Sequence, residues 1–126
     1  MARVLVVDDE DAYRECLRVA LGREGHEVRT AENSHEAMAC NQGFSPDVLI
    51  VDWMLRESIS GVELSKALHQ ANPNLVTVVI SGYSRQRVEA QWGKAERFAV
   101  IEKPFDLDDI CDAVERAWRA RKPDPS

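Results

Sequence analysis

The chain has 126 residues, 44% hydrophobic and 30% charged, with a formal net charge of -6. That length supports one domain with a single core, and Leu, Ile, Val and Phe at about a quarter of the residues place it above the roughly 20% typical of disordered chains. The excess of acidic side chains, 22 against 16 basic, argues against non-specific nucleic-acid binding, which needs a basic surface.

Arg3-Val4-Leu5-Val6-Val7 is a short apolar run of the kind buried on both faces of a parallel sheet, and it ends in Asp8-Asp9-Glu10-Asp11. Tyr13, Cys16, Leu17, Ala20 and Leu21 then recur at helical spacing, and Gly22 and Gly25 close that helix. Residues 26–30 form a shorter, more polar strand that belongs at a sheet edge. Asn33 and Glu36 have the spacing of a capping box for a short helix through Met38. After a turn at residues 43–46, Val48-Leu49-Ile50-Val51 is the second buried strand, and it delivers Asp52 at its carboxyl end. Ser60 and Glu63 repeat the capping spacing ahead of a helix that turns Leu64, Ala67, Leu68 and Ala71 inward, stopped by Asn72-Pro73-Asn74. Residues 75–80 are a third buried strand, ending in Ser81-Gly82. Ser84 caps a thin-faced fourth helix carrying Val88, Trp92 and Ala95. Residues 97–101 are the last strand, ending in Glu102-Lys103-Pro104. Asp106 caps a final helix with the stripe Leu107, Ile110, Cys111, Val114, Ala117 and Trp118. The predicted domain is 1–121, and 122–126, with Pro123 and Pro125, read as a flexible tail or the start of a linker.

No apolar run approaches the ~20 residues needed to span a bilayer, and Met1 leads straight into a strand without a signal peptide. Cys16, Cys40 and Cys111 are odd in number and far apart, which points to buried reduced thiols in the cytoplasm rather than disulfides or a zinc site. His26, His35 and His69 read as surface or edge residues.

Five strands alternating with five helices predict an α/β fold: a parallel sheet with right-handed crossovers and helices on both faces. The polar second strand belongs at an edge, which favours the order 2-1-3-4-5 of a flavodoxin-like doubly wound sheet. In such a sheet all carboxyl ends point one way, so Asp8, Asp9, Asp52, Ser81 and Lys103 converge. Three carboxylates in one crevice repel each other, and a hard divalent cation such as Mg²⁺ resolves the conflict. An Asp beside Mg²⁺ can attack phosphorus and form an acyl phosphate, with a lysine and a hydroxyl neutralising the moving oxygens.

Val6-Val7-Asp8-Asp9-Glu10, Asp52-Trp53-Met54-Leu55, Ser81-Gly82-Tyr83 and Lys103-Pro104-Phe105, in this order on alternating strands, resemble the response-regulator receiver domain of bacterial two-component signalling. The resemblance covers residues 3 to 121. It implies Asp52 as phosphoacceptor, with Mg²⁺ held by Asp9, Asp52 and the backbone carbonyl of Met54, and with Asp8 assisting through water. It implies that Ser81 and Lys103 hold the phosphoryl group, and that the Lys103-Pro104 bond is cis. A histidine kinase or phosphotransfer protein would donate the phosphoryl group. The surface of the fourth helix, fifth strand and last helix would engage an output partner or a second copy of the domain. On this reading the chain catalyses its own phosphorylation and slow autodephosphorylation, and does not turn over external substrates. The apolar Met54 would shield the acyl phosphate and lengthen its lifetime.

Three positions depart from the family pattern. Arg56 stands where the family usually has Pro, Gly61 comes one residue late, and Val100 replaces the usual aromatic switch residue. They leave room for an alternative, a receiver-fold interaction module with atypical or phosphorylation-independent switching. A haloacid-dehalogenase-type phosphatase is disfavoured because its nucleophile should end the first strand in an Asp-x-Asp pattern, whereas here Asp8 and Asp9 are adjacent. A dinucleotide-binding domain is disfavoured for want of a Gly-rich loop after the first strand.

Overall fold

The computed structural model describes residues 2–53, 61–82, 84, 86–87, 90 and 98–120. Its strands are β1 (Arg3–Val7), β2 (Glu27–Ala31), β3 (Val48–Asp52), β4 (Val76–Ser81) and β5 (Phe98–Glu102). Between and after them run α1 (Asp11–Arg23), α2 (Ser34–Phe44), α3 (Gly61–Ala71) and, as the last helix, α4 (Leu107–Ala120). Four helices are therefore delimited among the described residues where the sequence predicts five. The extra one falls on residues 84–95, of which only 84, 86, 87 and 90 are described. At its predicted start, the Ser84 hydroxyl accepts the Arg87 N–H at 3.3 Å, as a capping residue does.

All strand pairs are parallel and the sheet order is β2-β1-β3-β4-β5, as predicted. Successive side chains on a strand point to opposite faces, and this splits the core in two. Leu5, Val7, Leu49, Val51 and Val79 pack with Ala37, Leu64 and Leu68 of α2 and α3. Val4, Val6, Ile50, Val78 and Ile80 pack with Leu17 and Leu21 of α1 and with Ile110, Val114 and Ala117 of α4. β1, β3 and β4 carry apolar side chains at both parities because both faces are covered.

Local chemistry sets the element ends. Gly25, at φ 91°, lets the chain leave α1 through paired bonds, His26 N–H to Leu21 carbonyl at 3.2 Å and Gly25 N–H to Gly22 carbonyl at 3.1 Å. Asn33 Oδ1 accepts the Glu36 N–H at 2.9 Å, while Glu36 reaches back to the N–H of Glu32 at 3.0 Å, one residue before the position a capping box uses. Asp106 and Asp109 cap α4 reciprocally, at 3.0 and 3.2 Å.

Four sequence expectations are corrected. The second strand starts at Glu27, and His26 is buried, its Nδ1 accepting the Ala2 N–H at 3.0 Å. α2 runs on past Met38 to Phe44 because small Ala37 and Cys40 let it lie close to the core, and Asn41 Nδ2 donates to the Leu68 carbonyl at 3.3 Å. The last strand runs from Phe98 to Glu102, one residue past its predicted end at Ile101, and Arg97, its predicted start, lies outside the described residues. The cysteines are unbridged, yet Cys16 is exposed and Cys40 and Cys111 are only half-buried. Among the described residues no helix is long and apolar enough to cross a membrane.

Candidate functional site

The register assembles the site. β1 and β3 pair Val7 with Val51, so the next residues, Asp8 just past β1 and Asp52 at the end of β3, lie side by side. β4 and β5 pair Ser81 with Glu102, and the Lys103 N–H donates to the Ser81 carbonyl at 2.8 Å. That bond sets the lysine beside the end of β4. Lys103 Nζ then lies 3.6 Å from Asp52 Oδ2. The Asp52 side chain is 12% exposed, enough to be reached from solvent, and that of Lys103 is 34% exposed. The Lys103-Pro104 bond is cis, as the resemblance implies.

Asp8 is 2% exposed and its Oδ1 accepts the Glu10 N–H at 2.9 Å. Burial pushes its carboxyl up to about 6; the Glu10 bond opposes this, and the charges of Asp52, Asp9 and Glu10 add to it. Asp9 is half-buried beside it. Ser81 is fully buried at the end of β4, one strand from Asp52. Met54, the predicted source of a carbonyl ligand and of the acyl-phosphate shield, lies outside the described residues, as do Tyr83 and the segment 54–60.

Among the described residues no group of three or more His, Cys, Asp or Glu side chains is arranged to hold a metal ion by itself. Mg²⁺ does not need one. It usually takes one or two carboxylates and keeps several waters. The donor set suits it: Asp8, Asp9 and Asp52 offer hard oxygens, and the neighbouring carboxylates add to the effect of burial in raising the Asp8 carboxyl, a repulsion that a cation would relieve.

Three further residues take part in the site in ways the sequence does not specify. Arg14 on α1 donates to the Asp8 carbonyl and to the Asp11 carboxylate, with Glu32 3.8 Å away, and so ties the β1–α1 turn to the end of β2. Gly61 opens α3 against the acceptor strand: a Cβ there would sit 2.3 Å from the Asp52 carbonyl oxygen. Tyr13 faces Lys103, its ring centroid 5.3 Å from Nζ. The late Gly61 was a visible signal; nothing local marked Arg14 or Tyr13.

Comparison with known proteins agrees with this geometry. The family model for the response regulator receiver domain matches residues 4–115. The chain is 31% identical over 122 residues to the DNA-binding transcriptional regulator NtrC of Azospirillum brasilense, covering 97% of this chain and 25% of that protein. It is 33% identical over 128 residues to the phosphate regulon transcriptional regulatory protein PhoB of Rhizobium meliloti, covering 98% of this chain and 55% of that one. It thus spans between a quarter and about half of these relatives. The crystal structure of the receiver domain of NtrX from Brucella abortus superposes with a TM-score of 0.82 at 32% identity, covering 92% of this chain and 98% of that one. With a family match over nearly all of the sheet and its helices, and a solved receiver domain of the same extent, this chain belongs to the response regulator receiver domain family, phosphorylation-dependent switches of two-component signalling.

Proposed function

We propose that Asp52 is the phosphoacceptor and that Lys103, Ser81, Asp8 and Asp9 complete its site. A partially exposed carboxylate with an ammonium 3.6 Å away is the observation that carries this reading. The Asp52 carboxylate attacks the phosphorus of a phosphohistidine on a histidine kinase or phosphotransfer protein. The Oδ–P bond forms as the P–N bond breaks, and the imidazole leaves with a proton from solvent. Lys103 neutralises charge on the transferring oxygens. Ser81 donates its hydroxyl to one of them from the buried end of β4. Asp8, Asp9 and Asp52, with the Met54 carbonyl, would hold Mg²⁺. The ion, when bound, supplies charge neutralisation at the phosphoryl oxygens.

Residues 1–121 act as the receiver unit and 122–126 as a tail or linker start. The output is an effector, or a second copy, bound at the surface of the predicted fourth helix, β5 and α4; direct nucleic-acid contact and membrane attachment are not part of the reading, and the domain works in the cytoplasm. Val100 is 4% exposed and apolar, so the aromatic rotamer switch usual at this position cannot operate. Incubation with Mg²⁺ and acetyl phosphate, read by intact mass, tests the proposal. One phosphoryl group is gained, and none by Asp52→Ala. Unchanged wild-type mass favours a phosphorylation-independent module, and turnover of assorted phosphate esters favours a phosphatase.

A further inference from the structure

Lys103 reaches Asp52 on a long, flexible stem. Lysine has four side-chain torsions and a strongly hydrated head. At 34% exposure, rotamers that carry Nζ into water compete with the one that faces the acceptor. Something must bias that choice. The Asp52 charge is one attraction. The other comes from the opposite end of the chain: Nζ also lies over the Tyr13 ring, 5.3 Å from its centroid. An aromatic face attracts an ammonium through its quadrupole.

The ring is itself braced. Phe105, two residues past the lysine, packs against it with centroids 6.0 Å apart and planes tilted by 46°. The phenol is held above its ordinary value, chiefly by burial with Lys103 pulling the other way, so the ring stays neutral at neutral pH. We propose that Tyr13 is a positioning residue for phosphoryl transfer, its ring face holding the Lys103 ammonium toward Asp52. This rests on the roles proposed above for Asp52 and Lys103.

The test uses Mg²⁺ and acetyl phosphate with the whole chain. Tyr13→Leu keeps apolar bulk without a ring, and slows labelling roughly two- to fivefold, the loss a partly solvated cation–π contact implies. Tyr13→Phe keeps the ring and labels at the wild-type rate. In a Lys103→Met background Tyr13→Leu has no further effect. Cys16→Ala, on the same groove as Tyr13 and Phe105, changes nothing. A separate readout needs no phosphorylation: the Lys103 ε-methylene protons are ring-shifted upfield in wild type and Tyr13→Phe, and lose that shift in Tyr13→Leu. Equal labelling by Tyr13→Leu and wild type, persistence of its defect without Lys103, or unshifted methylene protons in wild type overturns the role of Tyr13 alone. A wild type that takes no label overturns this role and the reading of the site together.

Discussion

Asp8→Asn is the most informative single perturbation of the site. The Asp8 carboxyl is raised from 3.8 to about 6, chiefly by burial. At about 1.4 kcal/mol per pH unit, ionising it costs about 3 kcal/mol more in the fold than in the unfolded chain. The sign follows from proton linkage. The folded state holds this proton more tightly, so the contribution to stability is fully present below about pH 4 and is lost as the pH rises through about 6. At neutral pH the metal-free protein carries the whole penalty. Asn removes the charge and keeps an oxygen that can accept the Glu10 N–H. Urea unfolding in EDTA at pH 7 should therefore find Asp8→Asn more stable by up to about 3 kcal/mol, on the order of 10 °C in Tm. The gap should close near pH 4. Mg²⁺ should narrow the gap, because an ion at 100 times its Kd adds about 2.7 kcal/mol to the wild type and less to the variant. An Asn variant no more stable than wild type in EDTA, or a gap that does not shrink toward pH 4, would refute the reasoning.

Further outcomes follow from the same geometry. Gly61→Ala puts a methyl group 2.3 Å from the Asp52 carbonyl oxygen, backbone that cannot swing aside; it should lower stability by about 1–3 kcal/mol and slow acetyl-phosphate labelling, both measurable on one preparation. Arg14→Ala removes the donors to the Asp8 carbonyl and Asp11. It should cost about 1–2 kcal/mol in urea unfolding and weaken Mg²⁺ binding followed by Trp fluorescence; unchanged Mg²⁺ affinity would confine Arg14 to a structural role. Ser65 and Thr77 share a buried 2.7 Å hydrogen bond between α3 and β4. Ser65→Ala alone should lose about 1–3 kcal/mol, and Ser65→Ala with Thr77→Val should lose less than the sum, which a double-mutant cycle measures.

The strands, their order and the converging strand ends were legible in the sequence. Uninterrupted apolar runs such as Val48–Val51, short and rich in β-branched residues, read as strands covered on both faces, and the polar second strand favours an edge. Asp8, Asp52 and Lys103 then share one side because every strand points the same way. Caps were legible for a similar reason: Asn33 and Asp106 act on N–H groups a few residues away. The sequence predicts α2 too short because its buried residues, Ala37 and Asn41, carry little apolar signal, and the Asn41 bond to the Leu68 carbonyl on another helix exists only in the fold. Only the tertiary structure could decide that Asp8 is dry enough to resist ionisation, that Gly61 touches the acceptor's own carbonyl, and that Tyr13 stands over Lys103. Those facts join residues between 9 and 90 positions apart. Periodicity and capping are short-range and leave a mark on neighbouring residues, whereas burial and ring-to-cation approach exist only once the sheet has brought distant segments together.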